Sequence, residues 1–300
     1  MMISTETHPS LEVTTDRQRL QLLPTLGASI ASWETLVGGV WVPVLRPWNR
    51  ASVDAFTFAC FPLVPWSNRI GKGGFTHDEV YYPIVPNRAG EPYPIHGDGW
   101  LQPWQVHDSE RHNEATLHIE SRHAGGDPYH YRARQHFDLH ADGLTITLSV
   151  THLGKKSLPY GLGLHPYFLR DADTLLQMQC DGLWLSDTDP MPVAHSDTLP
   201  PTFDYREPAL LQGPMIDHCF TGWDGQATIT YPSRGMEIEF SMRDCDGYAL
   251  MYRPPGLDFF CLEPITHPID AFHMPQRPGL RILEHRQSMK LELTLRVQSI

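Results

Sequence analysis

The chain has 300 residues, of which 41% are hydrophobic, enough to build a sizeable core. Its formal net charge is −12 and its Lys and Arg residues form no block, which argues against a nucleic acid as partner. No apolar run of about 18 residues and no secretory signal in residues 1–15 are found, so we expect no membrane association. Five scattered cysteines without a C-x-x-C pair predict reduced, mostly buried thiols in a cytoplasmic protein.

Short strands with period-two alternation account for most of the regular structure that the sequence predicts. In chain order the candidates are residues 20–23, 115–121, 131–140, 144–151, 227–231, 235–242, 248–252, 257–262 and 289–297. The pair that flanks residues 141–143 predicts a hairpin, and the three segments between 227 and 252 predict a meander. Residues 270–274 fit one helical turn, and no amphipathic helix of 12 residues is found.

The distribution of proline and glycine supports the same fold class. The 27 prolines and 23 glycines are spread along the whole chain, as in a fold of many short elements joined by turns. The pattern predicts an all-β protein, a sandwich or a barrel. With no linker and no fixed repeat, we expect residues 1–300 to form a single domain. The Pro-rich residues 189–208 predict a long loop that covers another part of the molecule.

Two candidate proton carriers lie among apolar and aromatic residues. Glu263 is predicted to end the apolar strand 257–262, with Pro264 as terminator, and partial desolvation there would make its carboxylate a stronger base. His165 precedes Pro166, which favours an extended backbone, and histidine exchanges protons near neutral pH. Taken singly, each residue also fits an ordinary structural role, a salt bridge or a core histidine.

Further candidates suit contacts with a sugar. Gly97 and Gly99 follow His96 and would let the backbone approach a ligand closely, while Trp100 offers a flat face to a sugar ring. The guanidinium of Arg69 has the fork geometry that holds several hydroxyls.

Asp217, in the apolar segment 215–220, can accept hydrogen bonds from sugar hydroxyls. Taken alone, it also fits an ordinary structural carboxylate. Together with the residues above, it completes a set of groups suited to binding and proton transfer on a sugar.

Five short motifs occur in a fixed order: N-R at Asn68, H-G at His96, H-P-Y-F at His165, D-H at Asp217 and E-P at Glu263. As an ordered set, spread over roughly two-thirds of the chain, they resemble the aldose 1-epimerase (galactose mutarotase) family. The resemblance implies a large antiparallel β-sandwich of the galactose mutarotase type. It also implies an isomerase that interconverts the α and β anomers of a hexose with no metal and no organic cofactor.

The resemblance assigns roles residue by residue. Glu263 matches the general base that deprotonates the C1 hydroxyl, and His165 matches the general acid that protonates the ring oxygen. The ring then opens, C1–C2 rotates, and reclosure inverts the anomeric centre. The expected substrate-binding residues are Arg69, His96, Asp217, Asn68 and Trp100.

Three alternatives remain open from the sequence. One is a hexose-6-phosphate 1-epimerase, with Lys72, Arg88 and Arg253 as candidate phosphate contacts. The second is a metal enzyme, suggested by 17 histidines, although no H-x-H or H-E-x-x-H spacing occurs. The third is a non-catalytic sugar-binding protein on the same fold. A small-molecule sugar is the expected partner, and the chain is expected to be a monomer or a homodimer.

Overall fold

The structure, a computed structural model, describes residues 8–107 and 111–300. Its strands are, in chain order, β1 (Leu11–Thr14), β2 (Gln18–Leu23), β3 (Ser29–Val37), β4 (Val40–Pro43), β5 (Pro62–Leu63), β6 (Gly74–His77), β7 (Val80–Pro83), β8 (Gln105–His107), β9 (Glu114–Arg122), β10 (His130–Leu139), β11 (Gly143–His152), β12 (Leu158–Tyr160), β13 (Gly163–Leu164), β14 (Tyr167–Leu169), β15 (Leu175–Met178), β16 (Gly182–Ser186), β17 (Pro192–Ser196), β18 (Ala209–Leu210), β19 (Ile216–Thr221), β20 (Gln226–Tyr231), β21 (Met236–Arg243), β22 (Tyr248–Arg253), β23 (Phe259–Ile265), β24 (Arg281–Leu283) and β25 (Ser288–Ser299). The helical segments within the described ranges are 3₁₀ turns of three residues: Ala55–Thr57, Gly99–Leu101, Ala124–Gly126, Pro201–Phe203, Pro232–Arg234 and Ala271–His273.

Two large antiparallel sheets form the body of the molecule. The first has the order β18-β15-β20-β21-β25-β11-β10-β9-β8, and the second runs β17-β16-β19-β22-β23-β13-β5 with β14 also paired to β23. The sheets pack against each other through one shared apolar core, in which Phe168 on β14 contacts Phe240 of the first sheet and Phe260 of its own. The predicted all-β sandwich is confirmed, and β1 to β4 add a smaller sheet.

Alternation along single strands explains the burial. In β25, Leu291, Leu293 and Leu295 are buried while the residues between them are partly exposed. Each fully buried leucine stabilises the fold by about 1.5–3 kcal/mol. The hairpin predicted around residues 141–143 is confirmed, because β10 pairs with β11 along its length. The single helical turn predicted near residue 270 is also present, at Ala271–His273.

The predicted meander between residues 227 and 252 is wrong. β20 and β21 form a hairpin in the first sheet, but β22 pairs with β19 and β23 in the second. The turn at residues 244–247 therefore carries the chain from one sheet to the other. Strand spacing predicts the elements well, but the choice of partner depends on contacts far away in sequence.

The Pro-rich segment 189–208 is more than a loop. It contains β17, an edge strand paired with β16, where prolines are tolerated because one side of the strand has no partner. It also contributes the buried side chains of Leu199 and Tyr205 to the core.

All five cysteines are free, and four of them are buried, as predicted. No helix in residues 8–107 or 111–300 is long and apolar enough to cross a bilayer. A single domain and a monomeric or dimeric state stay predictions.

Candidate active site

A cavity of about 250 Å³ opens beside β19, β22 and β23 of the second sheet. Its walls come from those strands, from the segment around residue 165 and from the loops at residues 56, 68–69 and 88–96. Six of the seven predicted site residues line it, and Trp100 does not. The full lining is Phe56, Asn68, Arg69, Arg88, Glu91, Ile95, His96, His165, Tyr167, Asp217, Leu250, Tyr252, Phe259 and Glu263.

Glu263 lies within β23, which corrects the prediction that it ends a strand. It faces Leu250 of β22, and the strand continues through Pro264 to Ile265. On the other side of β23 the neighbouring strand changes from β14, which reaches Cys261, to β13, which pairs at Ile265. Pro264 lies at this change of partner, where the missing N–H of a proline is tolerated. The Glu263 backbone is therefore paired with β22 on one side, while on the other side β23 is paired two residues before it and two residues after it.

Glu263 and His165 form a close, buried pair. His165 Nε2 lies 3.3 Å from Glu263 Oε1, with 5% and 2% of the two side chains exposed. Glu263 Oε2 and His165 Nδ1 are buried and find no hydrogen-bond partner in the part of the chain that the structure describes. Burial raises the pKa of Glu263 well above its ordinary value, and the nearby Asp217 carboxylate adds to this. Burial also lowers the pKa of His165 to about 3.

Aromatic rings fix the orientation of His165. Its imidazole is stacked on Phe61, at 4.6 Å between centroids, and on Tyr167, at 4.7 Å with 16° between planes. The Phe61 and Tyr167 centroids are themselves 6.5 Å apart. Its backbone N–H donates to the Phe61 carbonyl at 3.0 Å. Because two rings pack on the buried imidazole, it has little freedom to rotate away from Glu263.

His96 and Asn68 hold each other through reciprocal hydrogen bonds. The Asn68 N–H donates to His96 Nδ1 at 3.0 Å, and the His96 N–H donates to the Asn68 carbonyl at 2.9 Å. Burial lowers the pKa of His96, so its ring is neutral and carries its proton on Nε2, as a donor. Both residues have left-handed backbones, with φ of 60° and 53°. Such conformations are costly and cluster at functional sites.

The glycines after His96 serve a different purpose from the predicted approach to a ligand. A Cβ on Gly97 would lie 2.1 Å from the Val64 carbonyl oxygen, and one on Gly99 would lie 2.4 Å from Val64 Cγ1. The Asn87 side chain brackets the same loop by donating to the Ile95 and Gly97 carbonyls. The two glycines thus allow the loop that carries His96 to pack on Val64.

Three further charged side chains, Arg69, Glu91 and Asp217, also line the cavity. Arg69 donates from Nε and Nη2 to Glu91 Oε2, both at 3.2 Å, and from Nη1 to Asn68 Oδ1 at 3.3 Å. Asp217 projects from β19 beside its cross-strand partner Tyr252. Burial raises the pKa of Asp217. Its carboxylate accepts no hydrogen bond from the residues described and is therefore open to donors on a ligand.

Trp100, predicted to face the sugar, lies behind the cavity. It is buried, its indole N–H donates to the Gly97 carbonyl at 3.0 Å, and its ring packs on Phe56 and Phe61. Trp104 is also buried and donates to the Gly99 carbonyl. The aromatic surface of the cavity comes from Phe56, Tyr167, Tyr252 and Phe259 instead.

The three cations considered as phosphate contacts do not converge. Arg88 lines the cavity, but it is paired with Asp54 at 2.7 Å and lies over the Phe56 ring. Arg253 is fully buried and donates to Tyr205 and to backbone carbonyls. Lys72 is exposed and lies outside the cavity lining. Within residues 8–107 and 111–300, no three His, Cys, Asp or Glu side chains are grouped to hold a metal ion.

Several lining residues were not predicted. Leu250 and Tyr252 lie two residues apart on β22, opposite Glu263 and Asp217, so the strand register would have revealed them. Glu91 and Phe56 lie in a loop and in a 3₁₀ turn, with no pattern in the local sequence to mark them.

Comparison with known proteins identifies the family. The family model of aldose 1-epimerase matches residues 9–296. The chain belongs to the aldose 1-epimerase family. It is 36% identical over 273 residues to the uncharacterised protein YphB of Escherichia coli K12, covering 88% of this chain and 92% of YphB.

Solved structures of this family agree with the fold. A crystal structure of a provisionally named aldose 1-epimerase from Escherichia coli K12 has a TM-score of 0.90 at 32% identity, covering 97% of this chain and 99% of the other. A galactose mutarotase-like protein from Clostridium acetobutylicum has a TM-score of 0.81 at 18% identity, covering 100% of this chain and 98% of the other, which shows the fold alone. The predicted resemblance is confirmed, and family and fold support an epimerase that acts on carbohydrates.

Proposed function

We propose that this aldose 1-epimerase family member catalyses the interconversion of the α and β anomers of a hexose. The observation that carries the proposal is the buried Glu263–His165 pair, whose Oε1 and Nε2 lie 3.3 Å apart on the wall of a cavity. Burying two ionisable groups costs free energy, and groups with such strongly shifted pKa values cluster at functional sites.

The reaction needs two proton carriers side by side. Ring opening removes the proton from the C1 hydroxyl, delivers one to the ring oxygen and breaks the C1–O5 bond to give the aldehyde. Both oxygens are bonded to C1, so a base and an acid must act on adjacent atoms. We assign the base to Glu263 and the acid to His165. After rotation about C1–C2, the ring oxygen returns its proton to His165 and the C1 oxygen regains one from Glu263.

The pair works with one proton in total. An ionised Glu263 with a protonated His165 and a protonated Glu263 with a neutral His165 contain the same number of protons and differ by one transfer across 3.3 Å. Burial favours the uncharged form in the empty cavity. Sugar hydroxyls that enter would supply hydrogen bonds to the charged form. Each positioned group contributes typically about 10²–10⁴-fold to the rate.

The remaining groups are suited to a neutral sugar. His96 Nε2–H and Arg69 offer donors, while Asp217 offers acceptors. The apolar faces of the ring would lie against the aromatic side chains of the cavity. The two lining arginines are each bound to a carboxylate, Glu91 or Asp54, so among the described residues no arginine or lysine of the lining is left unpaired for a sugar phosphate.

The test is anomer exchange, measured by NMR or polarimetry from pure α-D-glucose and α-D-galactose. We expect acceleration in proportion to enzyme, and its loss by about 10²–10⁴-fold in Glu263→Gln. Glu239→Gln is the matched control, because Glu239 is exposed on the first sheet. Wild-type turnover in a folded Glu263→Gln would overturn the assignment. Sugar binding without exchange would favour a binding protein, and exchange of phosphorylated sugars alone would favour a hexose-6-phosphate epimerase.

A further inference from the structure

Four planar groups pack in sequence from Arg46 through Tyr167 and His165 to Phe61. The Arg46 guanidinium carbon lies 3.9 Å from the centroid of the Tyr167 ring, which stacks on His165, which in turn stacks on Phe61. We call these four residues the Arg46 stack. Arg46 is absent from the cavity lining, so a ligand in the cavity meets His165 and Tyr167 but not the arginine behind them.

Arg46 is held firmly at the end of the stack. Its Nη2 donates to the Phe56 carbonyl at 2.7 Å and to the Phe58 carbonyl at 3.2 Å, and its backbone N–H donates to the Tyr167 carbonyl at 2.8 Å. A second ring, Phe259, lies 4.4 Å from the guanidinium carbon. These contacts fix the guanidinium plane against Tyr167, and that in turn limits tilting of the rings stacked beyond it.

Arg46 has no ion-pair partner among the described residues, although the Asp258 carboxylate acts on it from beyond ion-pair distance. The other two cations that act on His165 are neutralised, Arg69 by Glu91 and Arg88 by Asp54. Across residues 8–107 and 111–300, Arg46 makes hydrogen bonds only to carbonyls and forms no ion pair. Its positive charge therefore acts on His165 with less compensation than the charges of Arg69 and Arg88, through low-dielectric aromatic rings.

We propose that Arg46 is a positioning residue for His165. Acting through Tyr167, it fixes the plane of the imidazole and places a positive charge behind it that opposes a second proton on the Glu263–His165 pair. The role of Arg46 in catalysis rests on the proposed function. The effect on proton uptake by His165 holds whether or not the chain turns over a sugar.

Other ionisable groups also face His165. They are the Glu263 carboxyl, the His96 imidazole at 5.3 Å between centroids, the Tyr167 phenol, the Cys60 thiol and the guanidiniums of Arg69 and Arg88. Burial is the main cause of the lowered pKa of His165, and among the surrounding cations Arg46 acts most strongly. Removing Arg46 would remove the strongest of the cationic effects that oppose proton uptake by His165.

The experiment separates the charge of Arg46 from its shape. The titration of His165 is followed by NMR on histidine-labelled protein, and kcat/KM for glucose anomers is measured against pH. In Arg46→Met we expect His165 to take up a proton at higher pH, by about one pH unit, and the acidic limb of the activity profile to move with it. In Arg46→Lys we expect the limb to stay in place while kcat falls, because the charge remains and the planar stack is lost.

Arg19→Met is the matched control, because Arg19 lies 4.0 Å over the Trp41 ring away from the cavity. It should leave both readouts unchanged. A merely structural role for Arg46 would lower stability and activity without moving the titration, and that result would overturn the proposal. If Arg46→Met fails to fold, Arg46→Gln replaces it. Its side-chain amide can still donate to the Phe56 and Phe58 carbonyls, it carries no charge, and the same shift in the His165 titration is expected. Absence of anomer exchange in the wild type would refute the proposed function, and the His165 titration would still decide the inference.

Discussion

Burial of Glu263 and His165 in the cavity lowers the stability of the fold. On folding, both side chains lose their contact with water, and Glu263 Oε2 and His165 Nδ1 gain no hydrogen bond within the described structure. Their pKa values move in opposite directions for the same reason, since burial penalises the charged form of each. The sequence predicted a raised pKa for Glu263 from its apolar neighbours, but it did not indicate that His165 would be buried beside it.

The first prediction concerns the stability of Glu263→Gln. Because the pKa of Glu263 is higher in the folded than in the unfolded state, its contribution is fully present below about pH 4.5 and is lost as pH rises through the raised pKa. Glutamine cannot ionise, so we expect the variant to melt at a higher temperature than wild type at pH 9 and at a similar temperature at pH 4. Thermal unfolding at both pH values measures this, with Glu239→Gln as control. A variant that is less stable than wild type at pH 9 would contradict it.

The second prediction concerns the pH profile of kcat/KM. The active pair holds one proton, so activity falls in acid when the pair takes up a second proton and in alkali when the pair loses the last one. The lowered pKa of His165 places the acidic limb below pH 6.5, and the raised pKa of Glu263 places the alkaline limb above pH 4.5. Anomer exchange from pH 3 to 10, corrected for buffer catalysis, measures both limbs. An acidic limb at or above pH 6.5 would show that His165 is not held as described.

Strands and loops contribute differently to the cavity. β23 and β22 supply Glu263 and Tyr252 from paired backbone, while Arg69, Glu91 and His96 come from loops. Period-two alternation predicted these strands well because it is a local property. It could not predict that β22 leaves the sheet of β21, or that Pro264 lies inside β23, because both depend on which strands become neighbours.

The third prediction tests how the His96 loop is packed. At Gly97, φ is +66° and a Cβ would lie 2.1 Å from the Val64 carbonyl oxygen, so Gly97→Ala must strain the backbone and displace Val64. We expect a loss of roughly 2–5 kcal/mol in unfolding free energy, together with a higher KM. Gly90→Ala, with φ of +84° and open space around it, should cost only about 1–2 kcal/mol. Urea unfolding of both variants measures the difference, and equal losses would contradict the proposed packing.

The residues that surround the cavity come from about two-thirds of the chain, from Phe56 to Glu263. Phe56 and Glu263 are about two hundred positions apart in sequence, and the folding of the chain into a sandwich brings them together. Local patterns therefore predicted strands and turns, whereas the convergence of the five motifs followed from the family resemblance. Trp100 shows the limit of that approach, because its neighbours in sequence suggested a contact that the packing of Phe56 and Phe61 prevents.

The fourth prediction follows from the charges of the molecule and its cavity. The chain carries −12 overall, and the cavity lining holds three carboxyls against two paired arginines. We expect kcat/KM for glucose 6-phosphate to be at least about tenfold below that for glucose at low salt, with a gap that narrows as salt screens the repulsion. Asp54→Asn releases Arg88 from its partner and should improve the use of the phosphorylated sugar. Equal rates on both sugars at low salt would contradict this distribution of charge.

The placement of Glu263 inside a paired strand also bears on how such a protein can change over time. A base on a strand that is paired on both sides just before and just after it can shift little unless the sheet itself deforms. Glu91, Arg69 and Arg88 lie on loops, where substitutions and insertions are tolerated far better. New sugar preferences can therefore arise by exchange of loop residues, while the ring-opening step is inherited unchanged.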